Sequence, residues 1–219
     1  MPSTGASRPH STGEAALLAA ARAGAVLVFD TETAGFDGSV VQCAVISSWT
    51  SGASGAAPRE DPEPLAHYCR LWGLAASERM APRSEAVHGI SRNTLDRFGK
   101  PPLRELEFLR ALVDAGHEGG ARWVAHNAQF DITRLNATAA SHGMPALLRL
   151  GEVFCTMAAA TAHCNLATRA GRRKPPRASE LYEVLFARPF DGTLHDALED
   201  ARMTLACYEA GARRGWWPG

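Results

Sequence analysis

Hydrophobic residues come in short runs near the start of the chain and in helical spacing further on. Runs at residues 25–30, 40–49 and 65–71 predict three strands, because short apolar stretches bounded by turn residues are typical of buried strands. Residues 50–64 hold two glycines and three prolines, more breakers than a strand tolerates, and are predicted to form a loop. We expect the three strands to pair as an antiparallel meander.

Beyond residue 100 the spacing changes to that of helices. Apolar residues at positions 103, 106, 109, 112 and 113 predict an amphipathic helix over residues 103–115. A short strand is predicted at residues 123–125, and further helices at residues 14–23, 130–142, 156–165, 179–186 and 194–212. Helices and strands that alternate after a meander imply an α/β fold with a mixed sheet.

The length of 219 residues and the 46% of hydrophobic residues favour one globular domain with a sizeable core. We assign this domain to residues 14–214. Residues 1–13 are rich in Ser, Thr, Gly and Pro and are predicted to be a disordered tail. Residues 215–219 are predicted to be a short C-terminal tail.

The charges balance, with 23 basic and 23 acidic side chains. This balance gives no support to a nucleic-acid binder, although a local basic patch beside an acidic metal site is compatible with it. The apolar run at residues 15–29 is shorter than the roughly 20 residues needed to cross a bilayer, so no membrane segment is predicted. We expect a soluble, intracellular protein of the cytoplasm or nucleus.

The five cysteines are scattered, with no Cys-x-x-Cys pair. This pattern argues against a disulfide framework and fits a reducing compartment. Cys155, His163 and Cys164 form a candidate zinc fragment, but a second pair of ligands at the usual spacing is missing. Buried or half-buried thiols are the alternative interpretation.

Two carboxylates, Asp30 and Glu32, lie at the predicted end of the first strand, in the segment FDTETAG. Side chains at positions i and i+2 of a strand point to the same face, about 6–7 Å apart at the backbone. Hard divalent cations prefer oxygen ligands, which makes the pair a candidate metal site. A D-x-E triplet alone is common, however, and a solvated strand end is the other interpretation.

Two later segments carry further candidate groups. VAHNAQFD, residues 124–131, runs from a strand through a His-Asn turn into a helix whose first turn holds Asp131. In HDALEDA, residues 195–201, His195 and Asp200 lie about 140° apart around a helix axis and can border one cleft. Taken alone, Asp131 is an ordinary first-turn acid and His195 an ordinary cap or surface residue.

Together and in this order, the three segments resemble the exonuclease motifs F-D-T-E-T-x-G, H-N-A-x-F-D and H-D-A-L-E-D-A of the DEDDh family. Residues 87–90, VHGI, also resemble a family segment near the terminal nucleotide. The resemblance extends over residues 26–208. It implies a ribonuclease-H-like fold with a mixed five-stranded sheet, and a 3′–5′ exonuclease that releases nucleoside 5′-monophosphates from DNA or RNA ends.

The same resemblance implies two Mg²⁺ or Mn²⁺ ions as cofactors, held by Asp30, Glu32, Asp131 and Asp200. Asp30 is expected to bridge both ions, Glu32 and Asp200 to complete the nucleophile side, and Asp131 to support the other ion through water. His195 is expected to act as the general base, since an imidazole that titrates near neutral pH suits taking a proton from metal-bound water. A sister branch carries tyrosine four residues before the last acid, where this chain has an aspartate.

Further residues are expected near the substrate: Thr31, Thr33, Ala34, Phe36, His88, Ile90 and Asn127. The backbone of residues 31–35, with Thr33, is expected to hold the terminal sugar. Phe36 or Ile90 is a candidate wedge against the last base, or an ordinary core residue. His88 is a candidate contact to a phosphate or sugar, or a structural hydrogen-bonding residue. Asn127 is expected to order the turn rather than touch substrate.

Residues 169–177 hold five cations in nine positions. As a flexible loop, this segment is expected to bring Arg172, Arg173 and Lys174 to the phosphate backbone. A solvated basic loop is the alternative, because charge runs are usually that.

The active exonuclease is the function that the sequence favours, because all four acids and the histidine are present. The alternative is a catalytically silent module that binds nucleic-acid ends or serves as a polymerase-associated scaffold. No polymerase-docking segment is evident after residue 212. DNA or RNA as substrate, and monomer or homodimer as state, are left open by the sequence.

Overall fold

The computed structural model describes residues 13–48 and 66–218. The predicted tail before residue 13 and the predicted loop at residues 50–64 lie outside them. A five-stranded sheet with the order β3-β2-β1-β4-β5 forms the centre of the fold. The strands are β1 (Val26–Thr33), β2 (Val40–Ser48), β3 (Ala66–Leu71), β4 (Arg122–Ala125) and β5 (Val153–Cys155). The first three pair antiparallel and β1, β4 and β5 pair parallel, which confirms the predicted mixed sheet.

Eight α-helices connect and cover the described strands. They are α1 (Glu14–Arg22), α2 (Pro82–His88), α3 (Arg92–Phe98), α4 (Pro102–Gly119), α5 (Ala128–Ser141), α6 (Thr156–Cys164), α7 (Ala178–Phe186) and α8 (Ala197–Arg213). A 3₁₀ turn, Leu150–Glu152, precedes β5. None of the helices in the described part of the chain has the length and hydropathy of a membrane span.

Strand β1 is apolar on both faces because both faces of the sheet are covered by helices. Leu27 and Phe29 belong to the hydrophobic cluster that contains side chains of α1, α4 and α5. Val26 and Val28 belong to a second cluster that contains side chains of α6, α7 and α8. Because side chains alternate along a strand, the residues at the end of β1 also alternate between the α5 side and the α8 side.

Four elements differ from the sequence predictions. Strand β5 and helices α2 and α3 were not predicted: β5 has only three residues, and α2 buries none of its side chains, so neither shows an apolar period. The last helix was predicted to begin at residue 194 but begins at Ala197. Asp196 Oδ1 caps it by accepting hydrogen bonds from the backbone N–H groups of Leu198 (3.1 Å) and Glu199 (3.2 Å).

The residues that follow α8 pack back onto the domain. Trp217 is buried, and its indole N–H donates a hydrogen bond of 3.0 Å to the carbonyl of Tyr208. Phe154 contacts both of these rings. The Arg122 guanidinium donates to the Tyr208 hydroxyl at 3.0 Å and to the carbonyl of Pro218 at 2.9 Å. The end of the described chain is therefore attached to β4, β5 and α8.

Candidate active site

A pocket of about 410 Å³ lies where the parallel strands β1 and β4 end and α5 and α8 begin. The carboxyl ends of parallel strands lie at the same edge of a sheet, which brings the FDTET and HNAQFD segments together. The lining residues are Asp30, Thr31, Glu32, Phe36, His126, Asn127, Phe130, Asp131, Ala178, His195, Asp200 and Thr204. All four predicted acids and the predicted general base are among them.

The two acids of β1, Asp30 and Glu32, are largely shielded from water and lie close to other carboxylates. Burial, then the nearby charges of Asp131, Asp200 and Glu32, raises the pKa of Asp30 well above its ordinary value. Burial, then the charges of Asp200 and Asp131, raises the pKa of Glu32 to about 8. Buried carboxylates that repel one another hold protons at neutral pH unless a cation neutralises them.

Asp131 is held by Thr31, whose side chain lies on the face of β1 opposite to Asp30 and Glu32. Thr31 donates to Asp131 Oδ1 from its backbone N–H at 3.2 Å and from its hydroxyl at 2.7 Å. Burial raises the pKa of Asp131 to about 7, although the two hydrogen bonds from Thr31 act in the opposite direction. This carboxylate has a defined orientation before any ligand binds.

Asp200 lies one turn into α8, beside His195. Its Oδ2 accepts a hydrogen bond of 3.1 Å from the backbone N–H of His195, while its buried Oδ1 has no partner among the described residues. Burial raises the pKa of Asp200 to about 6. His195 itself is exposed and has the left-handed backbone conformation, with φ 63°.

The donor set of the pocket suits a hard divalent cation. One ligand atom each from Glu32, His195 and Asp200 lie within 4.8 Å of one another. Asp30 and Asp131 add carboxylate oxygens to the same pocket. Oxygen-rich sites of this kind bind Mg²⁺ or Mn²⁺, and a cation would give the unpartnered Oδ1 of Asp200 a ligand bond.

The sequence profile of the RNase_T family, described as "Exonuclease", matches residues 27–208. The chain belongs to this exonuclease family. With its four acids and His195 in one pocket, it is a 3′–5′ exonuclease of the DEDD type. No curated protein gives a significant match to the exonuclease sequence.

Solved structures share the fold of this exonuclease at low sequence identity. Exonuclease X in complex with 5′ overhanging duplex DNA is 21% identical, with a TM-score of 0.56 over 88% of this chain and 93% of that chain. E. coli Exonuclease I in complex with a dA16 oligonucleotide is 15% identical, with a TM-score of 0.66 over 87% of this chain and 41% of that chain. A zinc ion bound form of the E. coli Exonuclease I complex with single-stranded DNA is 15% identical, with a TM-score of 0.63 over 87% of this chain and 40% of that chain. The exonuclease thus spans about two-fifths of the Exonuclease I chains.

Among the predicted substrate-binding residues, Thr31, Phe36 and Asn127 line the pocket, whereas Thr33, Ala34, His88 and Ile90 are not among its lining residues. The Thr33 hydroxyl donates to the carbonyl of Gly35 at 2.8 Å, and Ala34 is buried. Asn127 is the left-handed residue that precedes α5, with φ 58°. Its carbonyl accepts a hydrogen bond of 2.9 Å from the backbone N–H of Phe130.

His88 and Ile90 have structural partners in the exonuclease. The backbone N–H of Ile90 donates to His88 Nδ1 at 3.0 Å, so His88 Nε2 carries the proton and donates to the carbonyl of Thr33 at 3.2 Å. Ile90 is buried in a small cluster with Ala34, Val41, Leu74 and Leu95. The structural alternatives fit these two residues better than direct contact with a phosphate or a base.

The predicted flexible basic loop is instead a short hairpin, residues 166–174. Its two sides pair through Ala167 and Arg173. Arg172 and Arg173 are exposed on it, whereas Lys174 is half-buried and paired with Glu180 of α7. Two of the three predicted cations therefore project into solvent, and the third attaches the hairpin to α7.

Four lining residues were missed by the sequence predictions: His126, Phe130, Ala178 and Thr204. His126 and Phe130 lie inside the HNAQFD segment, and Thr204 lies one helical turn after Asp200, so their positions carried a signal. His126 Nδ1 lies 2.9 Å from the Thr156 hydroxyl and its Nε2 lies 3.1 Å from the carbonyl of Pro176. Burial lowers the pKa of His126 to about 4, so its ring is neutral.

The candidate zinc fragment is not a metal cluster. Within residues 13–48 and 66–218, the group of Glu32, His195 and Asp200 is the one set of three or more ligand-type side chains with its ligand atoms close together. His163 instead stacks on the Trp216 ring, with centroids 4.7 Å apart. The five cysteines are free thiols, as the alternative interpretation predicted.

Proposed function

We propose that this exonuclease hydrolyses the terminal phosphodiester bond at the 3′ end of a DNA or RNA strand and releases a nucleoside 5′-monophosphate. The observation that carries the proposal is that Asp30, Glu32, Asp131, Asp200 and His195 share one open pocket. Proteins that only bind nucleic-acid ends have no need of four mutually repelling carboxylates, so the catalytically silent module is disfavoured.

The pocket chemistry supports two divalent ions, Mg²⁺ or Mn²⁺, held by the four acids. When bound, two such ions neutralise charge on the reacting phosphate and lower the pKa of an attacking water. The chain's own contribution is to hold the four carboxylates in place before binding. Asp131 is held by Thr31, and Asp200 by the backbone N–H of His195.

His195 is the general base in this proposal. Its imidazole is exposed at the pocket and sits beside Glu32 and Asp200, where a water-derived proton can be accepted and passed to solvent. A general base contributes about 10²–10⁴-fold to the rate. Asp200 Oδ2 accepts a hydrogen bond from the backbone N–H of His195, and this bond fixes the position of the acid relative to the base.

Phe36 and Phe130 form the base-binding wall of the proposed site. Phe36 is 80% exposed, yet its ring lies 5.8 Å from that of Phe130 at an angle of 46°. Both line the pocket. The exposed ring of Phe36, packed on the half-buried ring of Phe130 beside the acids, offers a stacking surface to an unpaired terminal base, whatever its identity. The DNA in the Exonuclease X and Exonuclease I complexes makes DNA the first substrate to test.

The decisive experiment incubates the protein with 5′-labelled DNA and RNA strands of matched sequence in Mg²⁺, with Asp30→Ala, His195→Ala and Asp114→Asn as variants. Asp114 is a surface acid of α4, paired with Arg110 at 3.8 Å, and serves as the charge control. We expect a ladder that shortens from the 3′ end, 5′-monophosphates as product, and loss of both in EDTA. Asp30→Ala and His195→Ala should lose activity while Asp114→Asn keeps it; wild-type rates in both site variants contradict the mechanism.

A further inference from the structure

The side chain of Gln42 joins the sheet to the beginning of α8. Gln42 lies on β2 directly opposite Glu32 of β1 and is buried, with 7% of its surface exposed. Its Oε1 accepts a hydrogen bond of 3.1 Å from the backbone N–H of Ala197, and its Nε2 donates at 3.2 Å to Asp196 Oδ2. The same Nε2 also contacts Cys69 Sγ at 3.6 Å. Both ends of the amide are therefore engaged.

Asp196 divides its two carboxylate oxygens between Gln42 and the helix. Oδ1 caps α8 by accepting from the N–H groups of Leu198 and Glu199, and Oδ2 accepts a hydrogen bond from the Gln42 amide. The polarity of the contact is fixed, because Ala197 presents a donor and Asp196 an acceptor. Glutamine satisfies both at once, since one end of its amide accepts and the other donates.

Gln42 and its two partners, Asp196 and Ala197, form a clamp, and the residue directly before these partners in the chain is His195. It has φ 63°, a left-handed conformation that is unfavourable for a residue with a side chain and persists only where its surroundings enforce it. Its N–H donates to Asp200 Oδ2. The two residues that follow His195, Asp196 and Ala197, are the ones that Gln42 holds.

We propose that Gln42 is a positioning residue of the exonuclease, which holds the turn before α8 so that His195 and Asp200 face Glu32. Gln42 is the residue of β2 that pairs with Glu32 of β1. The same pair of strand positions therefore sets the place of Glu32 and of the turn that carries His195. The proposal rests on the proposed function for its catalytic meaning. Its structural part, restraint of the His195 turn by the amide, is independent of activity.

The clamp can be broken and rebuilt by exchange of amide and carboxylate. Gln42→Leu removes the two hydrogen bonds that the amide makes with the Ala197 N–H and with Asp196 Oδ2. Gln42→Glu places one carboxylate against another. Asp196→Asn keeps an oxygen for capping but turns an NH₂ group towards the Gln42 NH₂ group. The double variant Gln42→Glu/Asp196→Asn restores one donor and one acceptor with the polarity reversed.

The test measures kcat and KM of these four variants below their unfolding transitions, with Ser47→Ala as the control. Ser47 is also buried on β2, and its hydroxyl donates to the carbonyl of Ala66 at 3.3 Å, so the control removes a hydrogen bond on the same strand. We expect Gln42→Leu and Gln42→Glu to lose on the order of 10²-fold in kcat, the scale of a small displacement of catalytic groups, with KM within about threefold. The double variant should recover most of this loss, and Ser47→Ala should match the wild type.

Amide hydrogen exchange of residues 193–200 in the metal-free protein provides the second readout. Gln42→Leu should speed exchange in this segment, and the double variant should return it to the wild-type rate. An active wild type with unchanged kcat and exchange in Gln42→Leu overturns the proposal, as does a double variant no better than its singles. A wild type that releases no nucleotide refutes the proposed function instead, and the exchange result still decides whether Gln42 holds the turn.

Discussion

Thr31 of β1 donates two hydrogen bonds to one carboxylate oxygen of Asp131 on α5, at 3.2 Å from its N–H and 2.7 Å from its hydroxyl. The two residues are 100 positions apart in the chain. Thr31 lies between Asp30 and Glu32, so one short stretch of β1 supplies two acids to the site and orients a third. The alternation of strand side chains explains how it reaches both sides.

Replacement of Thr31 by Val should weaken this orientation without changing the shape of the side chain. In the wild type, the hydrogen bond from the Thr31 hydroxyl lowers the pKa of Asp131, which is about 7. The Val variant lacks this bond, so the pKa of Asp131 should rise further. We expect the pH profile of Mn²⁺ binding, which requires the deprotonated carboxylate, to move to higher pH, and a stability loss of about 1–3 kcal/mol. Thr133→Val on α5 removes a hydroxyl bond to the Gln129 carbonyl at an exposed site and should leave the profile in place; equal profiles for both variants contradict the prediction.

The metal-free protein should become less stable as the pH rises from about 4.5 to 8. Glu32, Asp131 and Asp200 have pKa values of about 8, 7 and 6 in the folded protein, above their ordinary values of 4.5, 3.8 and 3.8. Between the unfolded and folded values the folded protein binds more protons, so the free energy of unfolding falls with rising pH and levels off above the folded values. Below the ordinary values both states are protonated and the stabilising difference is fully present.

Denaturation in EDTA and in Mn²⁺ across this pH range tests that electrostatic account. Mn²⁺ should raise the unfolding temperature more at pH 8 than at pH 5, because it binds the deprotonated carboxylates. Glu32→Gln should flatten the pH dependence in EDTA. A metal-free stability that increases from pH 5 to pH 8 is incompatible with the buried acid cluster.

The four acids could be predicted to lie together because their signals in the sequence are local. Asp30 and Glu32 follow an apolar strand, and Asp131 follows a strand and a polar turn, so the parallel pairing of β1 with β4 brings them together. The predicted sheet and the match to an exonuclease family are confirmed by the strand order and the family profile. These features depend on periodicity and short motifs, which a single sequence displays.

Other contacts have no local signal. Gln42 is one polar residue within a buried strand, and its partners are 154 and 155 positions away, so nothing near it indicates a role. Ile90 and His88 share one segment with the substrate-like motif, yet their hydrogen bonds and packing are decided by Thr33 and by residues of a separate small cluster. Such roles depend on tertiary geometry, which periodicity does not encode.

Phe36→Ala should impair substrate binding and leave stability unchanged. Phe36 is 80% exposed, so its removal costs little buried area, whereas base–aromatic stacking contributes about 1–3 kcal/mol per base. We expect KM to rise, on the order of tenfold, for single strands. Phe98→Ala removes another exposed ring, 55% accessible, which is not a lining residue of the pocket, and should have no effect.

A strand with an abasic 3′-terminal residue separates stacking from other effects of Phe36→Ala. It should raise KM for the wild type but not for the variant, because the variant has already lost the stacking surface. An equal penalty in both proteins would show that Phe36 does not contact the terminal base.

Arg172→Ala/Arg173→Ala should weaken binding of a single strand and make it less sensitive to salt. The two arginines are exposed on the hairpin, and the chain after Arg173 passes Pro176, whose carbonyl lies 3.1 Å from His126 at the pocket. Each phosphate contact adds about 0.7 to the slope of log K against log salt for single strands, so the loss of two contacts should lower the slope by about 1.4.

Fluorescence anisotropy of a labelled strand, measured in the inactive Asp30→Asn background from low to high KCl, provides the slopes. Arg22→Ala/Arg104→Ala removes two exposed arginines of α1 and α4 and has the same change in net charge. If this control lowers the slope as much as the hairpin variant does, the effect belongs to net charge rather than to contacts made by the hairpin.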